Sequence, residues 1–397
     1  MTAEQLLTAD LPPVADPRGG RSGEVATIRA SYAQIEPRTE ELSRLFYSTL
    51  FARAPETRGL FPVNMEVQRS RLLRALVHVV QMVDQPDELL PFLEQLGRDH
   101  RKFGVLAAHY DAVGTALLGA VATVAGPGWT PEVRTAWTEA YGMAAAAMRS
   151  AAETDTGPAC WLGQVVEHRR IGWDLAVVTV RSDQPIPYRA GQYLSVETPQ
   201  RPRLWRYLSP ANAPRPDGTV EFHVRAVNGG WVSRSIVAHT RVGDSWRIGP
   251  PMGRMHVETG TVRNLLMVAG GTGIAPIKAL VDDLARRPHR PATQVFVGGR
   301  TWEDLYDLGA LRELCYRHPW LDVVPVVEVD TGRDPADGDA PGAELGTLAD
   351  VITRYGAWAD HDVLVCGSPA MIRSTVSRML VAGTPLDRIR YDPFTVD

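Results

Sequence analysis

The chain has 397 residues, 44% of them apolar, and 42 basic side chains against 46 acidic ones leave a net charge of −4. That length accommodates two or three domains, and the lack of any long basic run argues against a nucleic-acid partner. No stretch approaches the roughly 18 uninterrupted apolar residues of a membrane span, and three scattered cysteines (Cys160, Cys315, Cys366) form neither a disulfide framework nor a zinc pattern, which fits a reduced, cytoplasmic protein.

Residues 1–22 are rich in Pro, Gly and charge and lack the apolar core of a signal peptide, so they read as a loose tail. From 23 to 153 apolar residues recur every three or four positions, as in Leu72, Ala75, Leu76, Val79 and Val80. Pro and Gly gather at breaks such as "ARAPETRGLFP" and "AGPGWTP", which marks an all-α domain. "AAETDTGPAC" is a linker. From 158 to 256 short strand-like segments ("LAVVTV", "YLSVE", "TVEFHVRAV") alternate with Gly and Pro turns, the spacing of an antiparallel β-barrel. From 260 to 397 apolar strands ("NLLMVAGG", "QVFVGG", "LDVVPVVEV", "DVLVCG") are each followed by helical sequence, the pattern of an α/β domain with a parallel sheet. The Asp- and Gly-rich stretch 330–342 reads as a mobile loop. The expected fold is multidomain: all-α, then antiparallel β-barrel, then α/β.

Three polar residues intrude on apolar faces of the helical domain. Leu89, Phe92, Leu93 and Leu96 share one face, and His100 falls four residues beyond Leu96, while Arg98, Asp99, Arg101 and Lys102 point elsewhere. Gln68 opens a helix on the face of Leu72, Ala75 and Val79, and Tyr47 sits among Leu45, Phe46, Leu50 and Phe51. Each has an ordinary reading by itself: a core histidine bonded to a backbone carbonyl, a helix-start glutamine, a buried aromatic. Buried polar groups need partners, and one bound cofactor, ligated from one side, satisfies all three.

"RLFYSTLFARAPETRGLF", "QRSRLL", "DHRKFGVLAAHYDAVGTALL" and "AWTEAYG" carry a likeness: over about 24–150 the chain resembles the globin domain of the flavohaemoglobins. The resemblance implies haem b, with His100 as the metal site, the proximal ligand of the haem iron. It implies Tyr47 and Gln68 as the distal pair, Phe61 against the haem face and Tyr110 on the proximal side. Tyr47, Gln68 and Tyr110 are thus the catalytic candidates. A neutral imidazole offers a lone pair to iron, and distal donors bond to charge that develops on the iron's ligand. The family also carries a glutamate near the end of the last helix that enriches the histidine; the acid nearest that place here is Glu153. The Phe61-to-Gln68 connection is shorter than in the family.

In the barrel, "LWRYLSPAN" (204–212) and "GGWVS" (229–233) are by themselves hairpin turns whose glycines admit phosphate oxygens. In the α/β domain, "LLMVAGGTGIAPIKAL" runs a strand into a glycine cluster that opens a helix, which places phosphate at a helix N-terminus. The acidic residue of the dinucleotide fingerprint does not end the next strand. With "YRAGQYLSV" and "VCGSPAMI" these motifs resemble the ferredoxin–NADP reductase superfamily over 158–397. By that resemblance FAD is held by Arg206 and Ser209, of an Arg-x-Tyr-Ser motif with Arg206 on the pyrophosphate. Tyr188, Gln192, Tyr207, Leu208, Gly230, Val232, Ser233 and Phe394 complete the flavin set. Leu208 stands in the place of a stacking tyrosine, and Pro251 and Met252 border the adenine. Gly271, Thr272, Gly273, Cys366 and Gly367 take NADH or NADPH, with NADH favoured. Arg300 reads either as a 2′-phosphate contact or as a solvated arginine, and Cys366 alone as a small apolar residue.

The resemblance as a whole implies an oxidoreductase, a nitric oxide dioxygenase in which NAD(P)H reduces FAD, FAD reduces haem, and nitric oxide and O2 become nitrate. The expected partners are O2, nitric oxide and NAD(P)H, with no obligate protein partner. Two alternatives stay open. One is a haem–flavin oxidoreductase with another donor or acceptor, such as a hydroxy acid or a peroxide; the other is an oxygen or nitric oxide sensor with its own reductase.

Overall fold

The computed structural model describes residues 17–329 and 342–392; Phe394 and nearly all of the 330–342 stretch lie outside the described residues. The chain divides into two units, Met1–Gly157 and Pro158–Asp397.

The first unit is helical: α1 (Pro17–Ile35), α2 (Thr39–Arg53), α3 (Glu66–Met82), α4 (Pro86–His100), α5 (Ala107–Ala125) and α6 (Pro131–Thr154). The first helix begins at Pro17, ahead of the boundary expected at 23. Local chemistry sets the helix ends. Pro86 opens α4 with Asp87 and Glu88 in its first turn and Arg98 in its last, the charge order that complements the helix dipole. Thr130 caps α6, accepting the Val133 N–H at 3.4 Å, with Pro131 in the first helical position. Ile35, Leu42, Phe46, Leu50 and Trp137 fill the core, where the Trp137 indole N–H donates to Ser31 Oγ at 2.9 Å. At Gly97 the backbones of α4 and α6 approach so closely that an added Cβ would lie 2.1 Å from the Met148 carbonyl oxygen. That crossing sits one turn before His100 and fixes the end of α4.

The second unit holds two sheets. Its first part runs β1 (Trp161–Arg170), β2 (Leu175–Ser182), β3 (Tyr193–Glu197), β4 (Arg206–Leu208), β5 (Thr219–Arg225), α7 (Trp231–His239) and β6 (Ser245–Met252). These strands form an antiparallel sheet in the order β4-β3-β6-β1-β2-β5, and a bridge from Pro210 to Phe222 draws its two edges together. Alternate residues such as Val178, Val180, Phe222, Trp246 and Ile248 point inward and are fully buried.

The second part runs β7 (Leu265–Gly270), α8 (Ile274–Ala285), β8 (Thr293–Gly299), α9 (Leu308–Arg317), β9 (Leu321–Val327), β10 (Glu344–Leu345), α10 (Leu348–Tyr355), β11 (Asp362–Cys366), α11 (Pro369–Val381) and β12 (Ile389–Tyr391). Its sheet is parallel, ordered β10-β9-β8-β7-β11-β12, with apolar cores on both faces. From β7 the chain builds outward through β8 and β9, then returns to the other side of β7 as β11. The loops after β7 and β11 therefore meet where the strand order reverses, the place where open α/β sheets bind ligands. Among the described residues no single helix is long and apolar enough to cross a membrane.

Candidate active site

The helical unit contains a cavity of about 300 Å³, lined mostly by apolar side chains. Tyr47, Phe61, Gln68, His100 and Tyr110 all line it, so α2, α3, α4 and α5, with Phe61 from the α2–α3 connection, bring the five residues named from the sequence to one place. His100 Nδ1 lies 2.7 Å from the Leu96 carbonyl oxygen. A carbonyl only accepts, so Nδ1 carries the proton and Nε2 keeps its lone pair. Burial lowers the imidazole pKa and holds the ring neutral, against the opposing pull of Asp99. This is the chemistry an iron ligand requires.

The opposite groups are equally constrained. Tyr47 Oη donates to the Gln68 backbone carbonyl at 3.3 Å, and burial raises its pKa, so the phenol stays a donor. Its ring packs edge-on against Phe46 and Phe61, at 4.8 and 5.5 Å between centroids. Gln68 faces the cavity despite the short connection from Phe61. Tyr110 is buried; Arg149 lies 5.8 Å from its ring, and the Tyr141 hydroxyl donates to its carbonyl. Glu153 is exposed at the end of α6 and acts electrostatically on the Tyr110 phenol, whereas Asp99 and Lys102 are the charges felt by His100. The histidine's orientation comes from a backbone carbonyl in the preceding turn. The sequence reading overlooked Arg71 and His109, which also line the cavity. Arg71 falls one helical turn after Gln68, a spacing that the face of α3 already predicted. The residues fit a haem: a lone-pair nitrogen, an apolar slot and polar groups facing it.

In the barrel, Arg206 and Leu208 share one side of β4 while Tyr207 is exposed on the other, its ring 5.1 Å from that of Tyr193. Leu208 is half-buried against the barrel core, and Ser209 is likewise half-buried. Gln192 closes its turn by accepting the Arg189 N–H at 2.8 Å, and it donates to the Gly253 carbonyl at 3.3 Å. Tyr188 corrects the sequence reading: it lies in the barrel core, its hydroxyl donating to the Asn212 carbonyl at 2.9 Å and accepting from Asn212 Nδ2 at 3.1 Å. Its polar atom is used within the protein, and Tyr193, five residues on, presents the accessible aromatic edge. Gly230 starts α7, Ser233 Oγ holds the turn through Val227 N–H and the Gly230 carbonyl, and the Val232 side chain is buried. Pro251 and Met252 are in β6, opposite Leu194 and Tyr193 of β3.

In the α/β part, Gly271 has φ +55° and open space where a Cβ would stand. A Cβ on Gly273 would lie 2.3 Å from the Cys366 carbonyl oxygen, so Gly271–Gly273 and Cys366–Gly367 are neighbours at the reversal of strand order. Burial pushes the Cys366 thiol up, which keeps it protonated, and its Sγ lies 3.8 Å from Met255 Sδ. Arg300 is exposed and its backbone N–H donates to Asp304. Thr347 and Ser368 cap α10 and α11 with their own side chains, whereas α7 and α8 start on glycines without a side-chain cap. Their first-turn N–H groups suit phosphate oxygens, which fits FAD and a nicotinamide dinucleotide.

A globin-like helical unit, a flavin-type barrel and a nucleotide-binding sheet together define a haem- and flavin-containing, nicotinamide-dependent oxidoreductase. Family models match three stretches in that order: Globin over residues 44–148, Oxidoreductase FAD-binding domain over 163–257 and Oxidoreductase NAD-binding domain over 267–377. The Flavohemoprotein of Deinococcus radiodurans is 30% identical over 288 residues, covering 68% of this chain and 71% of that one. The Flavohemoprotein of Bacillus subtilis is 24% identical over 388 residues, covering 93% and 96%. A flavohemoglobin from Malassezia yamatoensis, solved with bound FAD and heme, shares the fold at TM-score 0.73 and 19% identity over 93% of this chain and 98% of that one. The chain belongs to the flavohaemoproteins; its cofactors are haem, FAD and NAD(P)H.

Proposed function

We propose that this flavohaemoprotein is a nitric oxide dioxygenase. Two molecules of nitric oxide and two of O2 take up the two electrons of one NAD(P)H and leave as two nitrate ions, with one proton released. Haem and FAD supply the one-electron and two-electron chemistry when bound. His100 would hold the iron through Nε2, and the Leu96 carbonyl fixes the tautomer that makes this possible. Tyr47 would swing its one hydroxyl proton from the Gln68 carbonyl to negative charge developing in the cavity, with Gln68 beside it, and the apolar lining keeps water from competing. Tyr110 would brace the histidine's side of the cavity. Arg206 and the α7 N-terminus would bind the flavin diphosphate, with Gln192, Tyr207, Leu208 and Ser209 around the ring. Gly271–Gly273 and Cys366–Gly367 would seat the nicotinamide dinucleotide.

The observation that carries this reading is the convergence of Tyr47, Gln68 and the Nε2 lone pair of His100 on one apolar cavity. A peroxide acceptor is the weaker reading. A carbonyl partner on Nδ1 gives the imidazole less anionic character than a carboxylate would, and so less push toward O–O cleavage. The NAD-binding match over 267–377 likewise favours NAD(P)H over a hydroxy-acid donor. Rapid mixing of the reduced, oxygenated holoenzyme with nitric oxide tests the proposal. Nitrate formed stoichiometrically within the mixing experiment is expected; nitric oxide left unconsumed sinks it.

A further inference from the structure

Strand β5 turns Val220, Phe222 and Val224 into the barrel core, and the alternate residues Glu221, His223 and Arg225 outward. All three outward side chains engage the nucleotide-binding part of the same unit. Glu221 Oε1 accepts from Lys278 Nζ at 3.1 Å, and Lys278 also pairs with Asp307 at 3.0 Å. His223, its side chain only 1% exposed, bridges Glu221 through Nε2 at 2.9 Å and the Tyr306 hydroxyl through Nδ1 at 2.8 Å. Arg225 pairs with Asp304 at 3.4 Å. The seam continues along α8. Lys278, Asp282 and Arg286 recur every four residues on one face; Asp282 accepts the Ala213 N–H at 3.0 Å, and Arg286 donates to the Pro214 carbonyl at 3.2 Å.

The ends of these two elements give the seam its meaning. β5 leads through residues 226–229 to Gly230 and the start of α7, the turn suited to the flavin diphosphate. α8 starts at Gly271–Gly273, the turn suited to the nicotinamide dinucleotide. Ala190, Ala213, Met255 and Val257 also join the core beneath α8, but apolar contact is non-directional. Charged and doubly bonded pairs are directional, and a half-buried pair out of register leaves charges unpaired.

We infer that Glu221, His223, Lys278 and Tyr306 are positioning residues for hydride transfer, holding the dinucleotide-binding part in register with the flavin barrel. The inference rests on NAD(P)H being the donor to FAD, whatever the haem does next. In that step the C4–H bond of the dihydronicotinamide breaks, its hydrogen and two electrons pass to the flavin as a new N–H bond, and a second proton comes from solvent. The four residues exchange no proton in it.

Single-turnover reduction of the bound flavin by NADH, followed by its visible absorbance in the full-length holoenzyme, tests this. The rate is expected to fall about 10- to 100-fold in Lys278→Met and His223→Leu and by less in Tyr306→Phe. FAD content and the rate of flavin photoreduction are expected to match the parent. His223→Gln, which can both donate and accept, is expected to recover most of the rate. A seam that merely stabilises the fold would lower the melting temperature but leave FAD-replete variants within roughly twofold of the parent rate, which overturns the inference. Tyr306→Phe removes one hydroxyl and no charge, so it decides the matter if the charged variants fail to hold FAD. Nitrate does not enter this readout, so its outcome is independent of the nitric oxide reading.

Discussion

In the globin unit the functional groups proposed are side chains, Tyr47, Gln68 and His100, which line an apolar cavity. In the reductase unit the groups proposed are largely backbone N–H groups, in the first turn of α7 and at Gly271–Gly273, where the helices carry no side-chain cap. The first arrangement suits a flat apolar cofactor held by one strong bond to a metal; the second suits anionic diphosphates, which need many weak donors and a close backbone. A single substitution should therefore be most damaging where function sits in a side chain, and a single added methyl where it sits in backbone approach.

The largest effect tests the side-chain half. His100→Ala removes the only imidazole nitrogen assigned to iron, and haem affinity is expected to fall by more than the roughly 100-fold typical of losing a mere supporting residue. Haem transfer to a scavenging apoglobin, with the Soret band as readout, measures it; FAD content should be unaffected. Unchanged haem retention would mean that the cavity is not held from α4. A matched pair of methyl insertions comes next. Gly97→Ala would set a Cβ 2.1 Å from the Met148 carbonyl and Gly273→Ala one 2.3 Å from the Cys366 carbonyl. Each is expected to cost about 3 kcal/mol of local stability, at the high end of overpacking. The first should loosen haem and spare NADH-driven flavin reduction, and the second should do the reverse; a variant that damages both activities would break the comparison.

How much of this was legible in the sequence follows the same division. His100 stood out because a histidine continues a leucine stripe while its charged neighbours leave it, a contrast between side chains that periodicity exposes. The glycine turns were found as motifs, but spacing does not say which neighbouring aromatic faces outward. The motif thus offers Tyr188 as a flavin contact, whereas Asn212, twenty-four residues away, draws its hydroxyl into the core. Arg71 and His109 line the cavity, and the sequence motifs that contain them assign neither a role. The seam around His223 was illegible, because its hydrogen bonds join residues 57 and 83 positions apart and depend on tertiary register alone.

Titration offers a smaller test on the reductase side. Burial holds the Asp392 carboxyl up at about 6 against an ordinary 3.8, opposed by a backbone hydrogen bond from Arg254. The folded state therefore keeps a proton that the unfolded chain has lost between those values, so stability falls as pH rises through that window and the penalty is complete above it. Asp392→Asn is expected to gain up to about 3 kcal/mol over the parent at pH 7 and nothing near pH 3.5, read from denaturant unfolding of the reductase unit's signal. A gain that does not vary with pH would assign the effect to packing.

The smallest effect is the most specific to the globin side. Tyr47→Phe deletes one hydroxyl that bonds the Gln68 carbonyl and faces the cavity, while keeping the ring that packs on Phe46 and Phe61. A hydrogen bond to developing charge is worth about 1.4 kcal/mol or somewhat more, so O2 is expected to dissociate about 10-fold faster, with haem content unchanged. Carbon monoxide, which carries little charge when bound, should respond much less. If both gases respond equally, the phenol shapes the cavity through the Gln68 backbone rather than by donating to the ligand, and the side-chain account of this half of the molecule would need to move from Tyr47 to Gln68.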